Sequence, residues 1–350
     1  MNVIFQKKSF VLCDVPVPVG YPQSQTHAGI AYNKGNYYLV TSPYPNIRYK
    51  SKLKTYMMVA IRKLSCNHLC RAIVAERYEN PCLYLGNMRK GNPPVTFELM
   101  LTRPLMEAPD PYYGLPAYNS DPDIFIKDDS IYILNRQVYR TKIIHGAPLK
   151  NEYIQRLFLI KGKLIDKKFK YLGTSLLRET CDLLSSPCLT LFKGKYRLFY
   201  LKTNSYNDGN TFNGLFMSSA TTIGGLKRNS CQEKLKVSAG VYIPWHMSVF
   251  LCNDKLYAIV ACVKKGEKQR CYQMFGKFSD DLSELKIYQT PLTDYKSYRG
   301  SACVREDELF VLYSTTVYEK LKCSKSVDGR DVIMASMPFN DLLKQLRNNE

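Results

Sequence analysis

One pattern recurs five times along the chain and limits what it can fold into. Each copy has a small or polar lead-in, an apolar strand, a tight polar turn, and a second strand rich in aromatic and aliphatic residues. The copies read HAGIAYNKGNYYLVTS from His27, SDPDIFIKDDSIYILN from Ser120, SSPCLTLFKGKYRLFYL from Ser185, WHMSVFLCNDKLYAIVA from Trp245 and YRGSACVREDELFVLYS from Tyr298. Their turns fall at Asn36, Ser130, Lys195, Lys255 and Glu308. A strand-built unit repeated at this scale predicts an all-β fold, a five-bladed β-propeller. In a propeller the starts of the inner strands meet around one axial pocket. The residues that open each copy, near 27, 120, 185, 245 and 298, are therefore the functional candidates.

Each hairpin is followed by a further apolar stretch that reads as the third strand of a blade. These are 55–64 (TYMMVAIRKL), 153–164 (YIQRLFLIKGKL), 214–226 (GLFMSSATTIGGL), 272–285 (YQMFGKFSDDLSEL) and 332–346 (VIMASMPFNDLLKQL). β-Branched and aromatic residues dominate them, as half-buried strands require. The last blade is short of chain, and 9–17 (SFVLCDVPV) is the segment that would complete it and close the ring, removing exposed edges. A Pro- and Tyr-rich insertion at about 85–118 is expected to loop over one face. The tail 341–349 (DLLKQLRNN) is expected to form a short helix.

With 45% hydrophobic residues and no Pro/Gly/Ser-rich linker, residues 1–350 read as one domain. Fifty Lys and Arg against 30 Asp and Glu leave a formal charge of +20, which favours an acidic partner or an anionic glycan. The basic residues are dispersed and form no nucleic-acid motif, so nucleic acid ranks last. Of the 12 Cys, Cys188, Cys252, Cys262 and Cys303 sit inside apolar strands, where a thiol behaves as a small hydrophobe. Reduced thiols and cytosolic synthesis follow. Lys7 and Lys8 interrupt the place a secretory signal would need, and no apolar run approaches the roughly 18 residues of a membrane span. Incorporation into a particle released by lysis would need no signal.

These blades resemble the five-bladed propeller glycoside hydrolases, the arabinanase and β-xylosidase family 43 and its relatives, over nearly the whole chain. In that family the first blade opens on Asp-Pro, the second on Pro-Asp and the third on Glu-Gly-Pro. Those carboxylates serve as general base, pKa modulator and general acid. Here Pro122-Asp123 matches the second blade, His27 stands where the base would be, and Ser185 stands where the acid would be. His246 resembles the family's channel histidine, which implies room for an axial metal such as Ca2+, although no cofactor is required by the motifs. The strings SPYP at 42–45, YENP at 78–81 and NSDPD at 119–123 resemble a subgroup from bacterial and phage genomes. That resemblance makes Glu79, Asp121 and Asp123 the acidic candidates.

Each candidate has a bland alternative. Asp121 and Asp123 could be turn or strand-capping residues. His27 and His246 could be hydrogen-bonded structural imidazoles rather than bases or ligands. Trp245 is either a platform for a sugar ring or core packing. Arg299 either binds an anionic group on a glycan or forms an internal ion pair with Asp121 or Asp123. Glu79, before Pro81, could simply be exposed. Cys66, His68 and Cys70, with Cys82, lack zinc-finger spacing. The expectation is a glycan-directed propeller with glycosidic hydrolysis as its activity, Asp123, Glu79 and Asp121 catalytic, and His27, Trp245, His246, Arg299 and Ser185 binding substrate. The alternative is a non-catalytic glycan-binding or structural propeller, such as a phage tail or virion component.

Overall fold

The computed structural model describes residues 3–6, 9–21, 24–43, 79–86, 96–108, 117–140, 153–204, 212–228, 231–267, 271–293, 297–315 and 331–349. Val11–Leu12 forms β1. The first blade comprises β2 (Gln25–Asn33), β3 (Asn36–Pro43), β4 (Cys82–Gly86) and β5 (Phe97–Leu99). The second has β6 (Ala117–Lys127), β7 (Ser130–Arg140), β8 (Tyr153–Ile165) and β9 (Lys168–Thr180). The third has β10 (Leu183–Phe192), β11 (Lys195–Thr203), β12 (Phe212–Ala220) and β13 (Glu233–Ser238). The fourth has β14 (Tyr242–Cys252), β15 (Lys255–Lys264), β16 (Cys271–Phe278) and β17 (Glu284–Ile287). The fifth has β18 (Ser297–Arg305), β19 (Glu308–Thr315) and β20 (Asp331–Pro338), with β1 as its outer strand. Two helices among the described residues complete the set, α1 (Ile223–Arg228) and α2 (Phe339–Asn348).

Within each blade the strands run antiparallel in chain order. The inner strands form a closed ring, since β2 contacts β6, β6 contacts β10, β10 contacts β14, β14 contacts β18, and β18 contacts β2. Closure works as expected, with β1 pairing β20 and the Cys13 amide donating to the Val332 carbonyl. The first residues are also tied to the fourth blade, where the Ile4 and Phe5 amides donate to Pro291 and Leu292. The third and fourth blades share an outer seam, where β13 and β17 pair in parallel.

The polar turns do what their residues allow. Lys34-Gly35, Lys193-Gly194 and Asn253-Asp254 all have positive φ, the two-residue turn whose twist matches the flanking strands. Between the blades lie separate apolar layers. One joins the third and fourth blades around Phe199, Met217, Met247 and Phe278. Another joins the second and third around Leu134, Leu159, Leu189 and Tyr200. Seven cysteines are buried, and among the described residues none is in a disulfide. Burial pushes the Cys13 and Cys82 thiols up to about 12, so they pack as neutral apolar groups.

Four expectations about element boundaries change. The third strand of the first blade is Cys82–Gly86, paired with β3, whereas 55–64 lies outside the described residues. The insertion expected at 85–118 contributes the end of β4, all of β5 and the start of β6, so that part of it is blade rather than loop. The stretch 214–226 is a strand only to Ala220. There the Thr222 hydroxyl accepts from the Gly225 amide, an N-terminal cap that starts α1 and swings Leu226 into the core. The stretch 332–346 changes from β20 to α2 after Pro338. Phe339, Leu342 and Leu346 then face Phe250, Tyr257 and Phe275 of the fourth blade. Leu342 is fully buried there, so Leu342→Ala is expected to cost about 2–5 kcal/mol, read as a lower urea midpoint. No helix among the described residues is long and apolar enough to cross a membrane.

Candidate functional site

Every inner strand carries a bulge at the same place. Register shifts fall between Thr26 and Gly29, Ser120 and Asp123, Ser185 and Cys188, Pro244 and His246, and Ser297 and Gly300. A bulge re-aims the side chain at the extra residue. In three blades that residue is left-handed although it is not glycine: His27 at φ 55, Asp121 at 52 and Ser186 at 49. Such a conformation costs of order 1–3 kcal/mol per residue and persists where the surroundings over-determine it. Here the repeated strain turns three polar side chains toward one buried group. Space at Gly29 is tight, since a Cβ there would lie 3.1 Å from Val40 and 3.3 Å from the Asp123 carboxylate.

The His27 imidazole lies between two carboxylates. Its Nε2 is 2.7 Å from Glu79 Oε1 and its Nδ1 is 2.8 Å from Asp121 Oδ1. Glu79 also accepts from the Ser120 hydroxyl at 2.8 Å. Asp121 is held on its other oxygen by Arg136 at 3.1 Å and by the Ser186 amide at 3.0 Å. Arg136 is fixed in turn by donating to the Leu184 carbonyl at 2.6 Å. His246 Nδ1 is 3.4 Å from Asp121 Oδ1 and 2.9 Å from the Ser186 hydroxyl. Trp245 lies nearly parallel to His246, with ring centroids 5.5 Å apart, and is half-buried. His27, Glu79, Asp121 and His246 are all buried.

The group's electrostatics are asymmetric. Burial opposes charge on His27, yet Asp121 and Glu79 together outweigh it and raise its pKa. Burial also opposes charge on Asp121, but Arg136 and the two histidines hold its carboxyl well below the usual range. His246 is pushed down to about 3 by burial, with the neighbouring cations adding to the effect and Asp121 opposing it. Between the ordinary value of 6.5 and about 3, the unfolded chain therefore holds a proton at His246 that the folded chain does not. Stability from this residue is present above pH 6.5 and is lost as pH falls through that window. In His246→Gln the contribution is absent, so the stability gap between native protein and variant should shrink from pH 7 to pH 4 in urea titrations. A gap that stays constant would contradict a neutral His246.

Two metal-ligand atoms from histidine and one from carboxylate converge here. One donor atom from each of His27, Asp121 and His246 lies within 4.8 Å of the others. Two imidazoles and a carboxylate form a donor set suited to zinc and related divalent ions. The family resemblance suggests Ca2+ in the axial channel, but nitrogen-rich ligands suit a transition ion better than Ca2+, which prefers oxygen.

A second buried group stands beside the first. Arg299 is fully buried and donates to the Pro122 carbonyl at 2.6 Å, the Met247 carbonyl at 3.3 Å and Asp123 Oδ1 at 3.1 Å. Ser248 donates to the same Asp123 oxygen at 3.2 Å. Burial lifts the Asp123 carboxyl to about 6 in spite of Arg299 and Ser248.

The structure thus brings His27, Glu79, Asp121 and His246 together and places Trp245 against them. It directs Arg299 and Asp123 to each other, the internal ion pair, so that Arg299 reaches backbone and Asp123 rather than a ligand and Asp123 faces arginine rather than the His27 group. Ser185 is one residue out of register. Its hydroxyl donates to the Trp245 carbonyl at 3.1 Å, and Ser186 occupies the position matching His27 and Asp121. Ser186 and Arg136 are not among the sequence candidates, and Ser120 enters there as the residue opening the second copy, without a role of its own. Ser186-Pro187 repeats Asp121-Pro122 in the sequence, a signal that marks Ser186. Arg136 lies on a second strand, where nothing local marks it. Cys66, His68 and Cys70 lie outside the described residues.

No protein-family model matches the chain, and no curated protein matches it. Solved structures do. An N-acetylgalactosamine deacetylase from F. plautii, in complex with blood group B trisaccharide, aligns over 97% of both chains with a TM-score of 0.67 at 15% identity. A GH43_1 enzyme from Xanthomonas citri aligns over 94% of this chain and 91% of its own, with a TM-score of 0.54 at 9% identity. An α-L-arabinanase of Cellvibrio cellulosa aligns over 90% and 92%, with a TM-score of 0.53 at 9% identity. At these identities the likeness is one of fold: the chain is a five-bladed β-propeller, the fold it shares with the GH43_1 enzyme and the arabinanase.

Proposed function

We propose that the chain is a carbohydrate-directed hydrolase centred on His27, Glu79, Asp121 and His246, and that it opens an N-acyl bond on an amino sugar. The observation that carries this reading is the imidazole between Glu79 and Asp121. A glycosidase needs two carboxyl groups facing each other across room for a sugar and a water. Here His27 fills the interval, and the third acidic candidate, Asp123, is bound to Arg299. A centre with two histidines, one carboxylate and a further carboxylate on an imidazole edge suits metal-assisted amide hydrolysis instead. The deacetylase named above supports the same choice of bond.

In this reading His27, Asp121 and His246 hold a divalent ion, which when bound supplies Lewis acidity and a more acidic water. Asp121 is kept ionised by Arg136 and oriented by the Ser186 amide. Glu79 holds the Nε2 edge of His27, the role an outer carboxylate plays on a ligating histidine, and in this reading it is also the proton acceptor. Ser120 fixes the Glu79 oxygen. Trp245 offers its half-buried ring to the apolar face of a sugar.

The test is a substrate panel assayed with zinc, cobalt or manganese and with chelator. Acetate release from N-acetylated hexosamine oligosaccharides, lost in chelator and in Asp121→Ala, is expected. Xylose or arabinose release from aryl glycosides would replace this reading with glycosidic hydrolysis. Saturable oligosaccharide binding without turnover would leave a binding propeller.

A further inference from the structure

We infer that Asn80 and Asn119 are positioning residues that set the Glu79 carboxylate, an inference that rests on the hydrolase reading above. Glu79 and Asn80 precede β4, and Asn119 and Ser120 lie on β6 of the next blade. The two pairs meet residue for residue. Ser120 donates to Glu79 at 2.8 Å, and Asn119 Nδ2 donates to Asn80 Oδ1 at 2.7 Å. Asn80 Oδ1 also accepts from the Ala108 amide at 2.8 Å, and Asn80 Nδ2 donates to the Tyr21 hydroxyl at 3.3 Å.

Asn119 has no freedom to turn over. Its Nδ2 also donates to the Met106 carbonyl at 3.1 Å. Its Oδ1 accepts from Asn135 at 2.9 Å and from Gln137 at 3.1 Å. All the donors and lone pairs of that amide are therefore used. Gln137 is directed in the same way, since its Oε1 accepts from the Tyr139 hydroxyl. Asn80, Asn119, Asn135 and Gln137 are all buried. This chain of buried amides holds one orientation, because reversing any member leaves donor facing donor or acceptor facing acceptor, although the Asn135 Oδ1 at its far end has no hydrogen-bond partner among the described residues. Four buried amides are a costly way to hold a loop that apolar packing could hold. Their polarity ends beside the one carboxylate that must face His27 Nε2.

The test uses Asn80→Ala in the full-length protein, with Asn119→Ala as the second variant should the first not fold by circular dichroism. Activity is read as acetate release, and a crystal structure of the variant reads the Glu79–His27 distance. Expected are a fall in kcat of about 10–100-fold with KM within about threefold, and a Glu79 carboxylate moved off His27 Nε2, because a misplacement of about 1 Å costs up to about 100-fold. A lower melting temperature with kcat unchanged and Glu79 in place would overturn the inference, leaving the amides a purely structural ladder. Failure of the hydrolase reading shows separately as native protein that releases no acetate. The position of Glu79 then decides the clamp alone.

Discussion

Arg299→Ala is expected to destabilise the folded chain by about 3–5 kcal/mol, the range found when one partner of a buried ion pair is removed. The guanidinium is fully buried and joins three blades, holding Pro122 and Asp123 of the second, Met247 of the fourth and its own fifth. Alanine would leave the Asp123 carboxyl in an apolar setting with Ser248 as its remaining side-chain donor among the contacts described above. The Pro122 and Met247 carbonyls would each lose a donor as well, though Met247 keeps the Cys188 thiol. Urea midpoints measure the loss. The combination of Arg299→Met with Asp123→Asn should cost less than the two single changes added, because neither charge is then stranded. An arginine used for an anionic glycan would behave differently, with Arg299→Ala nearly as stable as the native protein and weaker only in binding. A loss below about 1 kcal/mol would contradict the ion pair's role between blades.

If the chain is the hydrolase proposed above, Glu79→Gln is expected to lower kcat by about 100-fold to 10,000-fold, the usual effect of removing a group that transfers a proton. The glutamine keeps the size of the side chain and can still accept from Ser120. It cannot take a proton, and its NH2 group can face the His27 Nε2–H that Glu79 now accepts at 2.7 Å. The same change should weaken zinc binding by about 10–100-fold in isothermal titration, since an outer carboxylate sets the tautomer of a ligating histidine. Lost turnover with unchanged zinc affinity would confine Glu79 to proton transfer. Unchanged turnover would remove it from the mechanism.

The repeat made the propeller legible because hairpin chemistry is local. Alternating apolar residues, Lys-Gly and Asn-Asp turns, and small lead-ins all act within one copy, and all five copies fold as read. The boundary differences have an equally local cause: apolar residues recur across 214–226 and 332–346 from the strand into the helix, and apolar composition alone does not separate a strand from the helix that follows it. Thr222 and Pro338 mark those changes in the structure.

The candidate residues were legible as a ring and not as a circuit. His27, Asp121 and His246 were marked by their place at strand starts, and Glu79 by its string with Pro81. Which of them touch was decided by tertiary structure, because a bulge shifts side-chain direction within a strand and contacts run between blades far apart in the chain. Ser185 and Ser186 differ by one position, yet only Ser186 takes the left-handed backbone that points to His246. Asp121 and Asp123 stand two residues apart and face different partners, His27 with Arg136 in one case and Arg299 in the other. The sequence alone determined five copies of a strand-built blade and the residues that open them, since those depend on local pattern. Tertiary structure decided that an imidazole stands between the carboxylates and that Arg299 is internal, since charge and burial act across space rather than along the chain.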